Sequence, residues 1–300
     1  MLCQRLDANN PDHVRKAADL ILQGELVAFP TETVYGLGAL GLNEAAIQKV
    51  YDAKGRPGYN PLIQHVASAD EALKLFKIPP GPPFSKGGGY WPGPLTLVGF
   101  KADHVPLLAT AGLDKVAVRV PAHPVARELL RLVGAPVVAP SANASTRPSS
   151  TTADHVFLTL GDKISAVLDG GPCEFGLEST VVDFTMEPPV ILRQGALILP
   201  ELTFKLSSSS EGSPGRLDKH YAPIIPEIRW ASAVQIASAP KDCAILSHQG
   251  HTPASYAKDL FAAFYRFEQA GYQRLWIEYL PEDRSWDGIR DRIQRALTAS

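Results

Sequence analysis

Apolar positions near the N-terminus follow a helical repeat: Val14, Ala17, Ala18, Ile21 and Leu22 share one face and predict a helix over 11–24, with Gly24 as its stop. Leu26-Val27-Ala28-Phe29 is then a short unbroken apolar run, as expected of a buried strand, and Pro30 ends it. The alternation continues, with helices expected over 44–53, 69–77 and 123–133. Strands are expected at 62–66, 96–100, 116–120, 136–139, 166–168, 179–184 and 190–193. Beyond residue 227 it becomes regular: strands at 227–230, 243–247 and 275–279, helices at 232–237, 254–270 and 289–297. Strict alternation of that kind predicts a small parallel α/β layer. Ser207-Ser208-Ser209-Ser210-Glu211-Gly212-Ser213-Pro214 has linker composition. The expected organisation is a larger α/β domain over 1–205, a linker over 206–226 and a smaller α/β domain over 227–300, and a length of 300 residues suits two domains.

The polar stretches between these elements carry the chemistry. Thr31-Glu32-Thr33-Val34-Tyr35-Gly36-Leu37-Gly38 and Pro140-Ser141-Ala142-Asn143-Ala144-Ser145-Thr146-Arg147-Pro148-Ser149 are both hydroxyl-rich and both follow an apolar strand, the place where α/β proteins bind ligands. Gly36 to Gly41 formally matches G-x-G-x-x-G, but a six-residue stretch including Pro30 separates the strand from the first glycine and no ribose-binding acid ends a second strand about twenty residues on, so a dinucleotide fold is rejected. No Walker A sequence occurs. In Lys54-Gly55-Arg56-Pro57-Gly58-Tyr59-Asn60-Pro61-Leu62 two cations sit in a loop stiffened by Pro, and extended chain would point Lys54 and Arg56 to the same side as a grip for phosphate or carboxylate. Lys115 and Arg119 share the face of their strand opposite Val116, Val118 and Val120 and would add two cations to that surface. His65 shares a strand face with Ile63, where it is either structural or ligand-facing. Residues 79–94, rich in Pro and Gly, read as an irregular surface loop or lid.

Composition narrows the function. A net charge of -2 gives no global basic field for nucleic acid or an anionic membrane, so any polyanion site must be local. Cys3, Cys173 and Cys243 have neither disulfide-framework nor zinc spacing and fit a reducing cytoplasm. No secretory h-region precedes Asp7, and no apolar run is long enough for a membrane span. The remaining constellation is one of cations, hydroxyls and amides at strand ends, with no Ser/His/Asp or Cys/His nucleophile set and no close carboxylate pair. Catalysis by positioning and electrostatic stabilisation, as at a phosphorus centre, is what such a set can do.

Phe29 to Gly38, Lys54-Gly-Arg-Pro57 with Asn60-Pro-Leu62, Trp91-Pro-Gly-Pro-Leu-Thr96, Arg119-Val-Pro121, Ala139-Pro-Ser-Ala-Asn143 and Leu192-Arg-Gln-Gly195 resemble, in this order, the YrdC-like L-threonylcarbamoyladenylate synthases. Ser213-Pro-Gly215 and His220-Tyr-Ala-Pro223 resemble the linker of the long, two-domain form. The resemblance implies a YrdC-like twisted open sheet with a basic cavity, followed by a Rossmann-like parallel domain. It implies a cytoplasmic enzyme that condenses L-threonine, bicarbonate and ATP, with Mg²⁺, to threonylcarbamoyl-AMP and pyrophosphate, and a partner transferase that moves the product onto tRNA. Carried over residue by residue, it implies catalytic roles for Lys54, Arg56, Ser141 and Asn143. Threonine would contact Thr33, Tyr35, His65, Arg119, Ala139 and Ser179. ATP would contact Arg56, Asn60, Lys115, Ser141, Ser149, Arg193 and Tyr221. No residue is assigned to a metal. The alternative is an RNA-binding module that uses the same basic cavity without turnover.

Overall fold

The computed structural model describes residues 3–81, 84–199 and 220–298. The larger domain runs β1 (Gln4–Asp7), α1 (Pro11–Leu22), β2 (Val27–Phe29), β3 (Gly36–Leu40), α2 (Glu44–Lys54), β4 (Ile63–His65), α3 (Ala69–Leu73), β5 (Leu95–Phe100) and β6 (Lys115–Arg119). It continues with α4 (Pro124–Val133), β7 (Val137–Val138), α5 (Ala153–Leu160), β8 (Ala166–Asp169), β9 (Thr180–Asp183) and β10 (Val190–Arg193). These ten strands form one mixed sheet in the order β1-β8-β2-β3-β7-β4-β6-β5-β9-β10. The smaller domain comprises β11 (Glu227–Ala231), α6 (Ala233–Ala237), β12 (Cys243–Leu246), α7 (Pro253–Gln269), β13 (Arg274–Glu278) and α8 (Asp287–Leu297). Its sheet is parallel throughout, in the order β11-β13-β12. Of the expected linker, 206–219 falls outside the described residues.

Apolar stripes explain the layering. Val14, Ala17, Ala18 and Ile21 of α1 pack with Leu129, Leu130 and Val133 of α4 on one sheet face, while Ile47 and Val50 of α2 and Val156 and Leu160 of α5 cover the other. Asn10, Asn43, Ser68 and Thr152 cap α1, α2, α3 and α5 by accepting a backbone N–H. The smaller domain closes its own core with Leu260, Phe261 and Phe264 of α7 and Ile289 and Ile293 of α8, and this core takes in Leu177 from the larger domain and Tyr221.

Three sequence expectations need correction. The glycine-rich part of 31–38 is not loop: β3 runs antiparallel to β2, pairing Val27 with Gly38 and Phe29 with Gly36. A Cβ on Gly38 would lie 2.9 Å from the Phe29 ring, so the glycine is there for close packing and not for a pyrophosphate. Lys54 and Arg56 do not alternate along extended chain either. Lys54 ends α2, Gly55 turns in the left-handed region at φ 61°, and Arg56 leaves the turn. Finally, the Pro/Gly-rich 79–94 is anchored: Phe84 and Trp91 are buried with Leu95, Leu97 and Val118. Two elements carry too little pattern to be expected. In β1 only Leu6 is buried, and α5 shows just Ala153, Val156 and Leu160 inward.

Candidate active site

The strand register gathers the polar ends of several strands at one place. His65 pairs with Arg119 across β4 and β6, Arg119 with Thr96 across β6 and β5, Leu95 with Thr180 across β5 and β9, and Val181 with Arg193 across β9 and β10. The two hydroxyl-rich loops close over this end and are knitted by backbone bonds: Tyr35 N–H to Ser150 O, Leu37 N–H to Pro140 O and Ala142 N–H to Tyr35 O, at 2.8, 2.7 and 2.7 Å. The result is a small, partly open recess. Thr33, Arg56, His65, Arg119, Ala139, Ser141, Ser179, Arg193 and Tyr221 line it, nine of the residues expected from the sequence.

Each arginine is aimed by its own partners. Arg119, 4% exposed, donates from Nη2 to Glu32 Oε1 at 2.6 Å, from Nη1 to Thr33 Oγ1 at 2.8 Å and from Nε to Gly93 O at 3.2 Å. Thr31 gives its hydroxyl proton to Val34 O at 2.6 Å, so the 2.8 Å contact between Thr33 and Thr31 runs from Thr33 to Thr31. A directed chain therefore fixes the rotor of Thr33. Arg193 donates from Nε and Nη2 to Ser179 O and from Nη2 to Ser179 Oγ at 3.2 Å, and Thr96 Oγ1 lies 2.7 Å from the same hydroxyl. Arg56 donates to Asn60 O, Asn60 Oδ1 and Pro61 O at 3.0, 2.6 and 2.8 Å. Burial pushes Arg56 down to about 10, leaving it charged at neutral pH.

His65 is 2% exposed, and burial, reinforced by the charge of Arg119, pushes it down to about 3. Its Nδ1 lies 3.1 Å from Ile63 O, which can only accept, so Nδ1 carries the proton and Nε2 is left as an acceptor. A neutral imidazole beside a guanidinium can receive an ammonium or amine N–H.

Other expected residues stand behind the lining. Lys54, 3% exposed, holds the second loop through Nζ to Ser141 O at 2.6 Å and Asn143 O at 2.5 Å. Burial, then Arg56, lowers its ammonium well below the usual range. Asn143 braces the same loop through Nδ2 to Ala144 O and Arg147 O, and Asn60 holds Arg56. Tyr35 points away and donates to Gly171 O at 2.8 Å, and Ser149 donates to Glu178 Oε1 at 2.5 Å. Lys115, at the opposite end of β6 from Arg119, pairs with Asp183 at 3.0 Å and does not line the recess. Four strand residues on span about 13 Å, so the expected clustering of Lys115 with Arg56 fails on strand length.

Sequence reasoning missed the carboxylates. Glu32 pairs with Arg119; Glu178 lines the recess and is met by Arg292 of α8 at 3.0 Å. Glu32 lies inside the recognised Thr-Glu-Thr stretch, whereas nothing local links Glu178 to Arg292. The wall also depends on a bare backbone at Gly195, where a Cβ would lie 2.2 Å from Glu178 O and 2.4 Å from Ser179 C. Gly195→Ala is expected to destabilise the chain by about 1–3 kcal/mol and, by displacing the Ser179 wall of the recess, to raise KM. A denaturant midpoint and steady-state kinetics check both.

A mixed sheet that presents arginines and hydroxyls in one recess at its strand ends, with a small parallel domain behind, is a YrdC-like catalytic domain in a two-domain chain. Residues 19–195 match the Sua5, YciO and YrdC family model described as telomere recombination, and 190–298 match the threonylcarbamoyl-AMP synthase C-terminal domain. A threonylcarbamoyl-AMP synthase of Pyrococcus abyssi is 37% identical over 317 residues, covering 94% of this chain and 93% of that protein. That of Bacillus subtilis is 44% identical over 233 residues, covering 74% and 67%. The crystal structure of P. abyssi Sua5 complexed with L-threonine superposes with a TM-score of 0.90 at 34% identity, covering 100% of this chain and 98% of that one. The chain belongs to the Sua5-type threonylcarbamoyl-AMP synthases, ATP-using nucleotidyltransferases of tRNA threonylcarbamoyladenosine biosynthesis, in their two-domain form.

Proposed function

We propose that the recess is where L-threonine, bicarbonate and ATP are condensed to threonylcarbamoyl-AMP with release of pyrophosphate. The observation that carries this is the convergence of Arg56, Arg119 and Arg193 with a neutral His65 on one small recess under Tyr221. Threonine lies against Thr33, His65, Arg119, Ala139 and Ser179, its carboxylate on Arg119 and its amine toward His65 Nε2. The amine adds to the bicarbonate carbon, water leaves, and a carbamate oxygen attacks the α-phosphorus in line with the departing pyrophosphate. Arg56 and Arg193, with Ser141, bind the phosphates and spread the charge of the transition state. Lys54, Asn60, Asn143 and Ser149 hold those groups from behind, Tyr35 fixes the loop that carries Thr33, and Tyr221 excludes water from the mixed anhydride. Lys115 has no contact to offer unless ATP reaches the far end of β6.

The described residues hold no group of three His, Cys, Asp or Glu suited to a metal ion, and Glu178, the carboxylate at the recess, is engaged by Arg292 and Ser149. No residue is therefore assigned to Mg²⁺, which on this reading arrives on the ATP phosphates. The cations face into the recess, which favours small substrates over an RNA backbone, and the product passes to a partner transferase that acts on tRNA. No helix among the described residues is long and apolar enough to cross a membrane, and the three free cysteines agree with a reducing cytoplasm.

The test is pyrophosphate release from Mg²⁺ATP with and without L-threonine and bicarbonate. Release should require both, and serine, lacking one methyl, should be poorer by about 10–200-fold in kcat/KM. Release that ignores threonine, or salt-sensitive RNA binding without release, overturns the proposal.

A further inference from the structure

We propose that Arg292, on α8 of the smaller domain, is a positioning residue for synthesis: it turns the Glu178 carboxylate away from the arginines that bind substrate. The inference rests on the recess being the synthase site. Glu178 immediately precedes Ser179 and is 6% exposed among cations meant for anionic substrates. An unrestrained carboxylate there would occupy Arg193 or Arg56 and compete with threonine carboxylate and phosphate. Instead its Oε2 accepts from Arg292 Nε at 3.0 Å and its Oε1 from Ser149 at 2.5 Å.

Arg292 is built for that task. It is fully buried, donates from Nη1 to Gln194 O at 2.7 Å and meets Asp291 at 3.1 Å, while its Cζ lies 5.5 Å from the centre of the Tyr221 ring. Its Nη2 has no hydrogen-bond partner among the described residues. Gly288 suits this close approach, since a Cβ there would lie a tight 3.3 Å from Gly195 O. A buried guanidinium costs several kcal/mol to desolvate, and an apolar contact would join the domains as well, as Leu177 and Phe261 already do in the same core. The charge is therefore explained by what it does to Glu178.

The groups facing Glu178 are Arg292 from α8, Arg193 from β10, Ser149 from the second loop, Lys54 from α2, and His220 and Tyr221 from the segment before β11. Burial would raise its carboxyl, but Arg292 first, then Arg193 and the Ser149 hydroxyl, bring it down to about 2. His220, pushed down to about 3 by burial, is neutral near pH 7 and offers no counter-charge.

The experiment compares full-length Arg292→Gln with the double variant Glu178→Gln/Arg292→Gln, each checked for folding by circular dichroism. The single variant should raise the KM for L-threonine and ATP about tenfold, within the range for groups in one ion-pair network, with a smaller change in kcat. The rise in KM should persist from pH 8 to 6, because a carboxylate paired with Arg193 or Arg56 stays ionised across that range. The double variant should recover most of the KM loss, since the amide that replaces the carboxylate carries no charge and still accepts from Ser149. If the single variant does not fold, a double variant with near-normal KM values supports the proposal, because it shows that the pair is needed only while the carboxylate is there. A double variant with the raised KM values, or with kcat reduced instead, overturns it. Arg119→Ala as a control separates the two readings: if that variant stays active, the site assignment itself is wrong.

Discussion

Replacing Arg119 by Ala is expected to lower kcat/KM for L-threonine by at least ~10³, because two charge-assisted bonds to a carboxylate are together worth about 4 kcal/mol. The same change strands Glu32, 3% exposed, whose Oε1 is held by Arg119 at 2.6 Å. Leaving one member of a buried ion pair alone costs about 3–5 kcal/mol. The pH dependence should also reverse. In the intact chain burial would raise the Glu32 carboxyl, but the Arg119 charge and hydrogen bonds prevail and lower it below the unfolded value. The pair therefore adds stability that is present above about pH 4.5, near the unfolded carboxyl, and is lost as pH falls through the folded value. Without Arg119 the buried carboxyl moves above its unfolded value, so the variant should gain stability as pH falls from 8 toward 5. Thermal unfolding of both proteins across that range decides the sign; a variant that unfolds in parallel with the wild type, or keeps near-normal turnover, removes Arg119 from this role.

What the sequence made legible follows from the range of each interaction. The helical stripes of α1, α2 and α4 and the short apolar strands are local patterns, and so is the alternation that predicts the parallel sheet of the smaller domain. The hydroxyl-rich loops and the Lys54 to Leu62 stretch stood out because such residues after buried strands need a reason. Lys54, read as one half of a grip beside Arg56 on extended chain, is turned inward instead, because its ammonium is held by Ser141 and Asn143, almost ninety positions on. The β3 strand hid behind its glycines, whose purpose shows only against Phe29 and Ala139. Lys115 was grouped with the other cations by face, which alternation gives, and not by distance along the strand, which it does not. Glu178 and Arg292 are 114 residues apart in different domains, so no window on the sequence could join them.

Truncating the chain after residue 199 should abolish pyrophosphate release, by at least about 10²-fold given what small displacements cost in a positioned site, while leaving the ten-stranded sheet folded. Four apolar clusters of the larger domain draw only on residues before 200, so that domain keeps its own core. The shared cluster is different: Leu177, 3% exposed, is the one buried member it draws from the larger domain, all the others lying at 221–296, and uncovering it costs about 1.5–3 kcal/mol. The loss of activity has a separate cause. The second loop rests on α7 through Arg147 to Glu268 at 2.6 Å and Tyr265 to Pro148 O at 2.6 Å, and Ala222 N–H reaches Thr146 O at 2.9 Å. Truncation removes all three supports from the loop that presents Ser141, takes Tyr221 off the recess and releases Glu178 from Arg292. Far-UV circular dichroism with a thermal melt should therefore report a folded, somewhat weaker domain, and the release assay an inactive one. A folded truncated chain with full activity would show that the larger domain arranges its site unaided, and the smaller domain would then be only a stabilising neighbour.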